Sequence, residues 1–176
     1  MNLKIRKAVP EDLEGVAKIY EKIHLAEEKG EAQIGWERGV YPEKATAQEA
    51  LARNDLFVEE LDGNIVGTAI LNQAQVDIYE KANWRYDVPA EQVMVMHTLV
   101  VDPDIKGKGL GRAFAEFYEK YAVQQGCHYL RIDTNEKNTN ARKFYKKLQY
   151  EEIDILPCTF NGLEGVNLVL LEKRIE

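Results

Sequence analysis

Apolar and charged residues alternate from Leu3 to Ala8, which predicts a first strand. Pro10, Glu11 and Asp12 then open a helix whose apolar face collects Leu13, Val16, Ala17, Tyr20 and Ile23. A polar stretch follows over 27–43, and Thr46-Ala47-Gln48-Glu49 reads as a capping box starting a short helix through about Arg53. Apolar runs at 56–61 and 65–71 flank Asp62-Gly63-Asn64 and pair as a hairpin. Residues 73–91 show no clear period and read as a loop with some helix, before the long strand 93–101. A helix over 109–125 aligns Leu110, Phe114, Phe117, Tyr118 and Tyr121, and a strand follows over 129–134. Asn138 caps a last helix with Ala141, Phe144, Tyr145 and Leu148 on one face, and strands near 151–156 and 166–172 close the chain around a turn at 161–165. The order β-α-α-β-β-β-α-β-α-β-β describes one α/β domain over 1–176 with a mixed sheet flanked by helices.

Composition narrows the classes. An apolar content of 45% and a charged content of 30% fit a globular domain able to bury a core unaided. The formal net charge of −7 argues against broad nucleic-acid binding, which needs a basic face, and is compatible with a cationic partner. Cys127 and Cys158 show no ligand or redox spacing, so reduced thiols and no metal are expected. The start of the chain lacks a secretory apolar region and no apolar run is long enough to cross a bilayer, so a cytoplasmic, membrane-free protein is expected. An apolar edge such as the final strand leaves pairing into a homodimer open.

Against this acidic background the stretch Leu99-Val100-Val101-Asp102-Pro103-Asp104-Ile105-Lys106-Gly107-Lys108-Gly109-Leu110-Gly111-Arg112 stands out. An apolar strand runs through a glycine-rich turn into a helix. Alternate glycines bring backbone N–H groups close to a ligand, the helix start leaves its first amides unbonded, and Lys106, Lys108 and Arg112 add full charges. That combination suits a phosphate. The spacing is G-x-G-x-G, which rejects the dinucleotide fingerprint, and Asp102 stands where a nucleotide P-loop needs glycine.

The same residues resemble the central motif of the GCN5-related N-acetyltransferase (GNAT) family, with Leu99, Val101, Pro103, Lys106, Gly109 and Gly111 in its places and Lys106 replacing Arg or Gln. A second stretch resembles that family's later signature through Asn138, Ala141, Phe144, Tyr145, Lys147, Leu148 and Tyr150. Gln149 replaces its glycine, a change without cost if the helix ends there without a positive φ. The resemblance implies that the turn from Lys106 to Arg112 holds the pyrophosphate of acetyl-CoA, and that Leu99, Val100 and Val101 bind its pantetheine arm through the backbone. It also implies that Asn138 and Tyr145 reach the cofactor.

The activity so implied is acetyl transfer from acetyl-CoA to a primary amine, on a small molecule or peptide, in a direct ternary complex. Tyr145 matches the family's general acid toward the departing thiolate. His97 interrupts an apolar strand and is the candidate base, with Glu91 in reserve and a water chain open. Trp36, Tyr41, Trp84 and Tyr86 are the candidate acceptor-binding aromatics. A non-catalytic acyl-CoA sensor on the same fold is the alternative, and an unrelated nucleotide-phosphate binder a third reading.

Overall fold

The computed structural model describes residues 1–176. Its elements are β1 (Leu3–Lys7), α1 (Leu13–Glu28), α2 (Lys44–Ala52), β2 (Leu56–Leu61), β3 (Asn64–Asn72), β4 (Val93–Val101), α3 (Leu110–Gln124), β5 (Tyr129–Asn135), α4 (Thr139–Lys147), β6 (Glu151–Phe160) and β7 (Leu163–Arg174). This is the order read from the hydrophobic pattern. The strands form one sheet, β1-β2-β3-β4-β5-β7-β6, antiparallel except for the β4–β5 pair.

Side-chain alternation along β4 divides the core. Met94 and Met96 face Phe114 and Tyr118 of α3 and Tyr145 of α4. Val93 and Val95 face the opposite way, onto Tyr79, Leu168 and Leu170. Val100 joins Val16, Ile19 and Tyr20 of α1. Each buried aliphatic or aromatic side chain of this kind contributes roughly 1.5–3 kcal/mol.

The sheet is pinned at one end of β4 and open at the other. The Tyr118 hydroxyl donates to the Met94 carbonyl at 2.6 Å and lies 3.1 Å from that of Arg131, so one side chain ties β4 to β5. Their pairing runs from Val93↔Tyr129 to Met96↔Ile132 and stops. There β4 carries an extra residue: Ile70 faces His97 while Gly67 faces Val101, and Thr98 takes a φ of 52°. A bulge of this kind bends and twists its strand, and it turns β4 away from β5.

Four local expectations need correction. The second helix begins at Lys44, with Thr46 Oγ1 accepting from the Glu43 N–H at 3.0 Å, so Thr46 lies in the first turn instead of capping it. The last hairpin is longer than the pattern suggested and turns at Asn161-Gly162, both with positive φ. Pro157 does not end β6: it stays paired with Asn167 of β7, on an edge strand, where proline is tolerated. The final strand is therefore interior, and the free edges are β1 and β6.

Gln149 is the fourth. Its φ is +69°, and the N–H of Tyr150 bonds the Tyr145 carbonyl while that of Gln149 bonds Lys146, a glycine-type helix ending. Gln149→Gly is expected to stabilise the fold by about 0.5–1 kcal/mol, the left-handed strain less the added chain entropy. Urea denaturation with an unchanged m-value checks it; an unchanged midpoint would show that the strain is relieved elsewhere.

Candidate active site

Where β4 and β5 part, a cavity of about 130 Å³ opens through the sheet. Space of that order takes a benzene-sized group. The floor is Met96, His97, Thr98 and Leu99 of β4 with Ile132, Asp133, Thr134 and Asn135 of β5. Asn138, Ala141 and Tyr145 close it on the α4 side. On the other side the α1–α2 loop supplies Ile34, Gly35, Trp36 and Tyr41, and the β6–β7 turn supplies Phe160 and Asn161.

The loop is held, not draped. Glu27 accepts from the N–H groups of Ile34 at 2.9 Å and Gly35 at 2.6 Å. Trp36 meets Tyr41 edge to face with ring centroids 5.9 Å apart, and the Tyr41 hydroxyl is hydrogen-bonded to Thr98 Oγ1 on the bulge. A Cβ on Gly35 would collide with Asn135 of β5, so glycine permits the loop to close down on the sheet.

Tyr145 is buried, lines the cavity, and its hydroxyl takes no partner within the protein. Burial, reinforced by the nearby Asp133 charge, pushes its pKa well up, so the O–H stays protonated and able to donate. His97 Nε2 lies 2.7 Å from Asn72 Oδ1. That oxygen also accepts from the Ala74 N–H, and Asn72 Nδ2 donates to Asp55 at 2.8 Å, so Nε2 of His97 must carry the hydrogen. Burial pulls the imidazole down to about 4, and it is neutral at pH 7. Asn138 caps α4 by accepting from the Ala141 N–H at 3.1 Å while lining the cavity.

The glycine turn lies beyond the end of β4. Gly109 has φ +67° and begins α3 with no side-chain cap, and Gly107 has φ +73°. No atom lies within 4 Å of where a Cβ would stand on either, so the backbone face is open. Lys106 and Lys108 are exposed and form no ion pair, whereas Arg112 pairs with Glu116 at 3.1 Å. Gly111 plays a different part: a Cβ there would stand 3.4 Å from Phe144, so it sets the close approach of α3 to α4. Leu110 and Val100 are core side chains, and Val101 is half-buried, leaving the backbone of 100–101 as the part able to meet a ligand. Asp102 anchors the turn, taking Lys22 of α1 at 2.7 Å and the Asp104 N–H at 2.9 Å.

Three candidates lie elsewhere. Trp84 stacks on Arg131 at 4.1 Å and donates its N–H to the Tyr79 carbonyl, and Tyr86 packs on Tyr129; neither lines the cavity. Both are structural aromatics of the 73–91 segment. Glu91 is exposed at the far, paired end of β4.

Pattern reading passed over Asp133. Its Oδ2 accepts from the Tyr79 hydroxyl at 2.6 Å, its Oδ1 has no partner in the protein, and it lines the cavity. Burial raises its pKa to about 6, against the downward pull of the Tyr79 bond. Cys127 and Cys158 are free thiols. No helix is long and apolar enough to cross a membrane.

Comparison with known proteins bears on the fold and the family. The model of the acetyltransferase (GNAT) family matches residues 18–150. An uncharacterized N-acetyltransferase of Methanocaldococcus jannaschii is 27% identical over 158 residues, covering 86% of this chain, which spans 62% of that relative's length. An acetyltransferase of Pectobacterium atrosepticum is 25% identical, covering 88% of this chain and 92% of its own. A GNAT-family acetyltransferase structure from Streptococcus agalactiae superposes with a TM-score of 0.83 at 19% identity, covering 99% of this chain and 96% of that one. A Salmonella typhimurium acetyltransferase solved with its cofactor acetyl-CoA gives 0.68 at 18% identity, covering 99% and 94%.

Proposed function

Because the chain belongs to the GNAT acetyltransferase family, we propose that it moves the acetyl group of acetyl-CoA to a primary amine in a direct ternary complex. The observation that carries this reading is the parting of β4 from β5, which opens one cavity to both faces of the sheet beyond the last paired residues. Acetyl-CoA supplies the thioester as co-substrate. Its pyrophosphate fits the open, uncapped turn of Gly107 to Arg112, where first-turn amides and Lys106 and Lys108 offer the positive end of a helix and full charges. The edge of β4 left unpaired beyond Met96 offers backbone groups to the pantetheine arm.

In this reading the amine enters under the α1–α2 loop between Trp36 and Tyr41 and attacks the thioester carbon. As the C–S bond breaks, Tyr145 gives its hydroxyl proton to the sulfur. His97 contributes a neutral imidazole with Nε2–H held on Asn72, and its low pKa makes it a weak base at neutral pH.

Titration calorimetry with acetyl-CoA, against CoA, ATP and NAD, followed by thiol release on a panel of amines, tests the proposal. Selective acetyl-CoA binding with amine-dependent thiol release is expected. Binding without turnover on any amine would favour an acyl-CoA sensor, and equal binding of ATP a general phosphate site. Tyr145→Phe is expected to lower kcat about 10²-fold with acetyl-CoA affinity retained; an undiminished kcat would remove Tyr145 from the chemistry.

A further inference from the structure

We propose that Lys22 of α1 is a positioning residue for acetyl-CoA: by pairing with Asp102 and Asp104 it anchors the turn that leads into α3 and cancels two carboxylates that would otherwise repel a pyrophosphate there. The inference rests on the acetyl-CoA reading above.

The turn is held at its ends. Residues Lys106 to Lys108 make no backbone–backbone hydrogen bond, so their course is set by the start of α3 on one side and by Asp102 on the other. Asp102 is buried, and each of its polar groups is engaged. Its N–H donates to the Val66 carbonyl of β3 at 2.7 Å, and its carbonyl accepts from the Ile105 N–H at 3.1 Å. Oδ1 accepts from the Asp104 N–H at 2.9 Å, and Oδ2 takes the Lys22 ammonium at 2.7 Å. Pro103 stands at the second position of this turn, where its fixed φ is already suitable. Only the last of these bonds reaches outside the sheet and the turn itself. A buried carboxylate without a cation is costly, so Lys22 decides whether Asp102 can stay charged and in place.

Charge gives the pairing a second consequence. The same ammonium lies 3.2 Å from Asp104, which is exposed. Lys106 and Lys108 are the free cations of the turn, since Arg112 is paired with Glu116. Two aspartates beside two lysines would leave the segment without net charge. With both aspartates matched by Lys22, the lysines and the first-turn amides of α3 present a positive surface to an anion. Lys22 does this from a helix far away in sequence, and its ammonium is spent on the carboxylates.

Titration calorimetry with acetyl-CoA on a set of variants tests the assignment. Lys22→Met is expected to raise the Kd about tenfold, the effect of uncompensated negative charge close to a bound anion. Lys22→Arg keeps the charge and should stay within about threefold of wild type. Adding Asp104→Asn to Lys22→Met should recover about threefold of the loss, because one repelling charge is gone. A role in folding alone would not produce that recovery, since Asp102 still lacks its cation and the Tm of the double variant should stay as low as that of Lys22→Met. Should Lys22→Met fail to fold, Lys22→Gln carries the same comparison. An unchanged Kd in the folded Lys22 variant overturns the inference. So does a loss that Asp104→Asn leaves untouched, which would place Lys22 on the ligand itself. Absence of acetyl-CoA binding by the wild type overturns the reading beneath it instead.

Discussion

Gly109→Val is expected to weaken acetyl-CoA binding by about 10²- to 10³-fold, the loss of roughly two backbone hydrogen bonds to a charged group. Gly109 starts α3 in the left-handed region at φ +67°, and the space where its Cβ would stand is empty. A Cβ there comes within 4 Å of no atom beyond its chain neighbours, so the fold should survive. It meets the ligand instead, because the branch stands in the space by which an oxyanion reaches the first-turn amides. The left-handed conformation costs a β-branched residue about 1–2 kcal/mol, which a modest fall in Tm would register. Calorimetry on the folded variant decides the matter: wild-type affinity would mean that the pyrophosphate lies elsewhere, and the proposed cofactor path with it.

The second large effect concerns stability. Glu59 is fully buried on β2, and neither carboxyl oxygen has a hydrogen-bond partner. Gly67 on β3 makes room for it, since a Cβ there would stand 2.7 Å from Glu59 Oε1. Burial alone raises its pKa from 4.5 to about 8. Between those values the unfolded chain has released the proton and the folded chain keeps it, so the unfolded state binds fewer protons and stability falls as pH rises. The full span corresponds to at most about 5 kcal/mol. Glu59→Gln removes the ionisation: near pH 9 the variant should be more stable than wild type by about 2–4 kcal/mol, and at pH 4 the two should be close. Urea denaturation at both pH values measures the difference, and parallel stability profiles would show that Glu59 finds a partner when ionised.

The strand, glycine turn and helix of 93–125 were legible because each is local: a long apolar run, residues permissive of positive φ, and an amphipathic repeat that neighbouring chain cannot disguise. Tyr145 was legible for a similar reason, standing at a fixed distance from the Asn138 cap on one helix face. His97 was noticed as a polar interruption. Its protonation was not readable, because it follows from Asn72, Ala74 and Asp55 together with burial. Trp84 and Tyr86 misled because an aromatic in a loop looks the same whether it lines a cavity or packs on Arg131 and Tyr129.

By itself the sequence determined the element order, the mixed α/β class and the glycine turn before α3, since periodicity, capping and glycine conformations act over a few residues. The tertiary structure alone decided where the candidate cavity sits. The Thr98 bulge that parts β4 from β5, the loop closed over it at Gly35, and the half-free carboxylate of Asp133 depend on contacts between distant segments. Asp133 in sequence is one acid in an ordinary strand; only burial, which withdraws water from its charge, raises its pKa to about 6 against the pull of the Tyr79 bond.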